Sequence, residues 1–169
     1  MNHEQRTMNN KSPYLARLDL SALGKKYSLQ GQKLVLTNGC FDLLHIGHVR
    51  YLQAAQALGD ALIVAVNSDR SVRELKGATR PINNEQDRAE VVAALRYVEH
   101  VIIFDDLRVS QVIKKLQPAI YVKGGDYTIE TLDPGERKAL EECGTEIKIL
   151  PLIPGRSTTR LIEKMNKEK

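Results

Sequence analysis

The stretch Lys33-Leu34-Val35-Leu36-Thr37-Asn38-Gly39-Cys40-Phe41-Asp42-Leu43-Leu44-His45-Ile46-Gly47-His48 decides how this chain is read. Its first part, Lys33–Thr37, is a short apolar run of the kind that forms a buried strand. Beyond it, His48–Leu58 places Val49, Leu52, Ala55 and Leu58 on one helical face, and Gly59 stops the helix. A strand thus feeds a turn, and the turn delivers His45 and His48, with Gly47 between them, to a helix N-terminus. Two imidazoles there can point at one anion that also feels the helix dipole and the free backbone N–H groups. Gly47 lets the backbone come close to it. With 4 His and 11 Gly in 169 residues, chance supplies roughly 0.006 such windows. The alternative is a pair of histidines that merely cap a helix. Metal ligation needs a third ligand, and none has suitable local spacing, so zinc is not expected.

The pattern repeats outward from this point. Ala61–Val66, Val101–Phe104, Ala119–Val122 and Glu146–Leu150 read as further buried strands. Between them, Asn84–Val98 places Val91, Val92, Leu95 and Val98 together, with Asn83 and Asn84 offering an N-cap. Val109–Leu116 stops before Pro118, and Pro134–Cys143 opens on proline and closes on Gly144. Strands alternating with helices imply right-handed crossovers. The expected fold is α/β: a Rossmann-like, five-stranded parallel sheet with helices on both faces. In such sheets a ligand sits beyond the strand C-termini, where the strand order reverses. Residues 1–30 read as an appendage, polar and frayed over 1–12 and weakly helical from Tyr14 to Tyr27 (Leu15, Leu18, Leu20, Leu23). Residues 31–169 form the domain.

Composition narrows the function classes. A 19.0 kDa chain with 42% hydrophobic residues can bury a real core as one domain. No apolar run reaches the length of a membrane span, and Met1–Lys11 is too polar for a signal peptide. Cys40 and Cys143 supply neither a disulfide framework nor a zinc spacing, so a cytoplasmic protein with reduced thiols is expected. The net charge of +4 is dispersed, and the chain has no tryptophan to stack on bases. Nucleic acid is therefore not an expected partner, nor is a membrane. A small phosphorylated substrate needs only a few well-placed cations.

Several of those cations and cradles stand out. Lys76 and Arg80 fall on what reads as a loop after the second strand, able to close over phosphates. Arg88 opens the next helix and Arg96 lies near its end; each could equally be a solvated surface charge. Lys123-Gly124-Gly125-Asp126 follows the fourth strand, where the glycines let a base or sugar pack on backbone and Asp126 can accept from hydroxyls. A tight turn would use the same glycines. Gly155-Arg156-Ser157-Thr158-Thr159 precedes a short helix, Arg160–Lys164, and offers a second phosphate cradle or an ordinary N-cap. Cys40 has no base beside it in sequence and reads as a small buried side chain.

The segment Thr37–His48 resembles the signature of the HxGH nucleotidyltransferases, which include cytidylyltransferases and pantetheine-phosphate adenylyltransferase. The likeness runs from about Lys33 to Met165. It is narrowed by Ala65-Val66-Asn67-Ser68-Asp69, Leu75-Lys76-Gly77 with Arg80-Pro81, Tyr121–Tyr127 and Gly155–Thr159. Together these most resemble the adenylyltransferase domain of ADP-heptose synthase, there often fused to a sugar kinase, for which this chain has no room. The resemblance implies transfer of AMP from ATP to a heptose 1-phosphate for the lipopolysaccharide inner core, with Mg²⁺ accompanying ATP and a homodimer as partner arrangement. It implies His45, His48 and Lys76 as catalytic groups. For nucleotide binding it implies Asn38, Gly39, Cys40, Phe41, Asp42, Gly47, Arg96, Lys123, Gly124, Asp126, Ser157 and Thr158. For the second substrate it implies Asn67, Asp69, Arg80, Arg88, Gly125 and Tyr127, with no dedicated metal ligand.

Two other readings stay in view. Glycerol-3-phosphate cytidylyltransferases typically carry an Arg-Thr pair before the Gly-x-Ser-Thr-Thr motif, where this chain has Leu152 and Ile153. That departure weighs against cytosine recognition. A non-catalytic nucleotide sensor would need fewer phosphate cradles and cations than are present here.

Overall fold

The computed structural model describes residues 19–125 and 127–151. Five parallel strands, β1 (Leu34–Gly39), β2 (Ala61–Asn67), β3 (His100–Phe104), β4 (Ile120–Gly124) and β5 (Glu146–Leu150), form one sheet in the order β3-β2-β1-β4-β5. The Rossmann-like α/β expectation holds. Six helices among the described residues cover it: α1 (Leu20–Leu29), α2 (Ile46–Gln56), α3 (Asp69–Lys76), α4 (Glu85–Ala93), α5 (Ser110–Leu116) and α6 (Pro134–Cys143).

Strand alternation decides which side chain joins which face. Leu34, Leu36, Ala61, Ile63 and Ala65 pack with residues of α1, α5 and α6. Val35, Leu62, Val64 and Val66 pack on the other face with Leu52 and Ala55 of α2 and with Ala89, Val92 and Ala93 of α4. The two central strands β1 and β2 are thus buried on both sides, and their near-continuous apolar runs follow from that.

The structure departs from the sequence expectations at several places. β1 and β4 each run two residues further than read, so Asn38, Gly39, Lys123 and Gly124 are still strand when they reach the sheet edge. α2 starts two residues earlier, at Ile46, which makes His45 its N-cap and puts His48 in its first turn. α4 ends at Ala93; Leu95 and Val98 continue inward through a pair of tight turns, whereas Val91 points to solvent and Ala89 takes its place in the core. α3 replaces the expected loop after β2. Ser68 caps it by accepting from Ser71 N–H, Asp69 lies in its first turn, and Arg73 and Lys76 lie in its last, each suited to the helix dipole. Val72 is its buried apolar side chain, too little for periodicity to announce a helix.

α1 corrects the idea of an appendage over residues 1–30. Leu23 and Tyr27 are buried in the same cluster as Leu36, Ile113 and Leu116. Leu15 and Leu18 lie outside the described residues. The approach of α1 to α5 is close because Gly24 has no side chain: a Cβ there would lie 1.9 Å from the Leu116 carbonyl oxygen. Gly24→Ala should therefore lower stability by about 1–3 kcal/mol, the usual cost of forcing extra volume into a packed contact. Urea denaturation checks this, and an unchanged midpoint would mean that α1 is dispensable to the core.

Candidate active site

The strand order reverses between β1 and β4, where the chain leaves β1 for one side of the sheet and later returns on the other. Their pairing runs from Val35↔Ile120 to Thr37↔Val122. Tyr51 of α2 fills the seam there: its hydroxyl donates to Val122 O (3.1 Å) and lies 2.7 Å from Thr37 Oγ1. Above it opens a cavity of about 460 Å³, large enough for a nucleotide-sized ligand. Its lining brings together Asn38, Gly39, Cys40, Phe41, Asp42, His45, Gly47, His48, Asn67, Lys76, Arg80, Lys123, Gly124 and Tyr127, with Leu75, Leu107, Arg108 and Glu136 beside them.

The histidines stand face to face. Their rings stack with centroids 3.9 Å apart, and Phe41 packs 5.4 Å from the His48 ring on another side. Phe41 reaches that position with φ at 47°, in the left-handed region. His45 Nδ1 accepts the Gly47 N–H (3.1 Å), so one expected free amide is already used as a cap. A neutral ring accepting through Nδ1 carries its proton on Nε2. Burial, and secondarily the neighbouring His45, push the His48 pKa down to about 4. His48 is accordingly neutral near pH 7, and among the described residues its Nδ1 is the one buried side-chain polar atom without a hydrogen-bond partner.

Asp42 anchors the rim. Its carboxylate accepts from Arg80 Nε (2.6 Å), Ile82 N–H (2.8 Å) and Asn83 N–H (3.0 Å), and Asn83 Nδ2 donates back to Asp42 O. Burial alone would raise this carboxyl, but the Asn83 and Ile82 amides and Arg80 outweigh it and hold it below the usual carboxylate range. Arg80 is thereby neutralised at the cavity wall. Lys76, at the end of α3, is exposed and reaches the cavity from its open side.

Arg88 corrects the sequence reading most sharply. It is 2% exposed, and its guanidinium donates to the carbonyls of Cys40, Asn67 (2.8 Å) and Asn83 (3.0 Å) and to Asp69 Oδ1 (2.8 Å). It fastens the ends of β1 and β2, the start of α3 and the loop before α4, and has no face on the cavity. A lone arginine near a helix start carries no sequence signal for such burial. Asp69 is committed to this pair, and Asn67, though it borders the cavity, donates to Ser71 Oγ (2.9 Å). Arg96 is not brought to the site. It follows α4, which runs back toward the strand N-termini, and it lies over Tyr97, 4.8 Å from the ring centroid. Just past β4, Gly125 turns the chain with φ at 105° and donates to Leu150 O (3.1 Å). Cys40 is half-buried instead of buried, and burial raises its thiol pKa, which leaves it a poor nucleophile. Asp126, Ser157 and Thr158, with Leu152 and Ile153, lie outside the described residues. Sequence reasoning missed Tyr51 and Glu136, whose spacing from the motifs carries no pattern, and it gave Tyr121, the first residue of the Tyr121–Tyr127 stretch, no role at the site.

No group of three or more His, Cys, Asp or Glu among the described residues could hold a metal ion. No helix among them is long and apolar enough to cross a membrane.

Comparison with known proteins agrees with this geometry. A family model described as cytidylyltransferase-like matches residues 36–164. The bifunctional protein HldE of Geotalea uraniireducens (strain Rf4) is 49% identical over 146 residues, covering 86% of this chain and 29% of that protein. Its counterpart in Koribacter versatilis (strain Ellin345) is 46% identical over 150 residues, 89% of this chain and 30% of the relative. The chain therefore spans less than a third of the length of these curated relatives. Among solved structures, the lipopolysaccharide core biosynthesis protein from Thermoplasma volcanium GSS1 superposes with a TM-score of 0.59 at 29% identity, over 73% of this chain and 98% of that one. With the family match spanning both the paired histidines and the sheet that presents them, the chain belongs to the cytidylyltransferase-like family of nucleotidyltransferases.

Proposed function

We propose that the chain transfers AMP from ATP to D-glycero-β-D-manno-heptose 1-phosphate, giving ADP-heptose and pyrophosphate for the lipopolysaccharide inner core. The observation that carries this reading is the stacked His45–His48 pair inside the cavity where the strand order reverses. The names of the relatives and of the structural neighbour, a lipopolysaccharide core biosynthesis protein, point the same way.

The chemistry suits the groups available. A sugar phosphate oxygen attacks the α-phosphorus in line; the new O–P bond forms as the bond to the β-phosphate oxygen breaks, and pyrophosphate leaves. The attacking oxygen is already anionic, so the site needs no strong base. Positioning and stabilisation of developing charge are what remain. His45 contacts the triphosphate, the neutral His48 ring acts as a hydrogen-bond donor toward the transition state, and Lys76 adds positive charge. Ser157 and Thr158 are assigned to the β- and γ-phosphate oxygens from the sequence motif alone. Mg²⁺ arrives with ATP, held by phosphates and water; the Asp42 carboxylate is already committed to Arg80 and two amides, and no residue is assigned to the ion.

A pyrophosphate-release assay with ATP, CTP and GTP against heptose 1-phosphate and glycerol 3-phosphate tests the reading. ATP with the heptose should exceed CTP by at least about tenfold in kcat/KM, a gap of ~1.4 kcal/mol. Preference for CTP with glycerol 3-phosphate would transfer the assignment to the cytidylyltransferase type.

His48→Ala should lower kcat by about 10²–10³ with a smaller effect on ATP binding, the cost of losing one preorganised donor. The same ring sets an acid sensitivity in the free protein. Its folded pKa of about 4 lies below the ordinary 6.5, so the unfolded chain binds the proton more readily. Its contribution is intact above pH 6.5 and is lost as pH falls toward 4, up to about 3 kcal/mol. Urea midpoints at pH 7 and 4.5 should show a smaller acid loss in His48→Gln than in the parent.

Lys76→Ala should slow turnover while leaving the melting temperature of the free protein within a degree or so, since an exposed lysine contributes little to stability. A large drop in melting temperature would place Lys76 in a structural ion pair.

A further inference from the structure

The cavity wall at the β1–β4 seam holds a buried polar cluster of Asn38, Tyr121, Lys123 and Glu136. Lys123 Nζ donates to Asn38 Oδ1 and to Tyr121 Oη, both at 3.2 Å, and lies 3.6 Å from Glu136 Oε2. Tyr121 donates to Asn38 Oδ1 at 2.7 Å, with Glu136 Oε2 at 3.4 Å. The other Glu136 oxygen accepts the Val109 N–H (3.3 Å) at the start of α5. Glu136 is 3% exposed and Tyr121 fully buried.

Such a cluster is costly to bury unless its charges and polar atoms are compensated. A carboxylate taken from water requires compensation, and an ammonium beside it supplies that only when the geometry holds. The arrangement has two consequences for the cavity. First, the Asn38 amide is fixed: its oxygen is held by two donors, so its NH₂ lies on the opposite side, and Asn38 lines the cavity. Second, the Lys123 charge is already balanced by Glu136. The β1–β4 seam is therefore a charge-balanced hydrogen-bonding surface, while Lys76 brings its charge from the open side.

We propose that Glu136 is a positioning residue for substrate recognition: its buried carboxylate holds the Lys123 ammonium and, through Tyr121, the Asn38 amide in one orientation at the seam between β1 and β4. The proposal rests on the nucleotidyltransferase reading for what is recognised, and on geometry alone for the coupling. Without the carboxylate, Lys123 is an ammonium in a poorly solvated pocket, which favours its neutral form. Burial already lowers its pKa, and Glu136 is the foremost group opposing that. The other groups facing it are Asp133 before α6, which also favours the charge, Arg108 on the loop before α5, which opposes it, and the rings of Tyr121 and Tyr127, at 5.7 and 5.2 Å.

The test uses the full chain with Glu136→Gln, which keeps shape and acceptor while removing charge. Two readouts are taken: kcat/KM against pH with ATP and heptose 1-phosphate, and the pH dependence of Lys123 acetylation by acetic anhydride, followed by peptide mass spectrometry. Both the basic limb of the rate profile and the onset of Lys123 labelling should move to lower pH by at least about one unit, a tenfold loss of kcat/KM above the limb. If Glu136→Gln does not fold, Glu136→Asp, which withdraws the charge without deleting it, should give a smaller shift in the same direction. An unmoved labelling onset overturns the proposal, whatever the rate. A labelling onset shifted in Glu136→Gln, with a parent protein that turns over no nucleotide, would uphold the coupling and refute the nucleotidyltransferase reading instead.

Discussion

The hydrogen-bonded register that joins β1 to β4 ends at Thr37 and Val122, and the geometry of the site follows from that ending. Each strand runs two residues further, so Asn38, Gly39, Lys123 and Gly124 become the walls of the opening. Tyr51 closes the bottom by bonding to both strands. Because the order reverses here, the helices that follow β1 and β4 leave to opposite faces and cannot fill the space between. A cavity at this place is a consequence of topology before any side chain is chosen.

What sequence adds is a rim stiff enough to hold chemistry. Arg88 and Asp42 do this from beneath, joining four backbone segments through buried charge-assisted hydrogen bonds. Breaking one partner of such a set leaves a buried charge uncompensated, so the network is held together by the penalty of its own disruption more than by net attraction. The histidine pair depends on this frame. Burial keeps the His48 ring from protonating, and the His45 ring stacked 3.9 Å away adds to the effect. A site that keeps the His48 imidazole neutral near pH 7 can offer it to a polyanion as a directed donor.

Much of this is legible in the chain. The five strands, four of the helices and the placement of His45 and His48 at a helix N-terminus are written in apolar periodicity and in Gly and Pro punctuation. The third helix is not: with Val72 as its buried apolar residue, its capping serine and terminal charges make too weak a pattern beside the neighbouring motifs. Lys76 does reach the site, but from the last turn of that helix and not from a loop. Arg88 and Arg96 look alike in sequence, eight residues apart on one expected helix. α4 runs away from the site, which carries Arg96 to the far end and lets Arg88 turn inward among the strand carbonyls.

The sequence by itself determined the alternation of strand and helix, and with it the parallel sheet that such alternation implies, and the pairing of two histidines, because apolar periodicity, turn residues and close spacing are local patterns. Tertiary structure decided which charges are free to meet a ligand. Arg88 reaches Cys40 O across 48 positions, and Lys123 reaches Asn38 across 85. Partners that distant leave no periodicity, and whether a cation is compensated or available depends on the burial and ion pairing that only the packed chain creates.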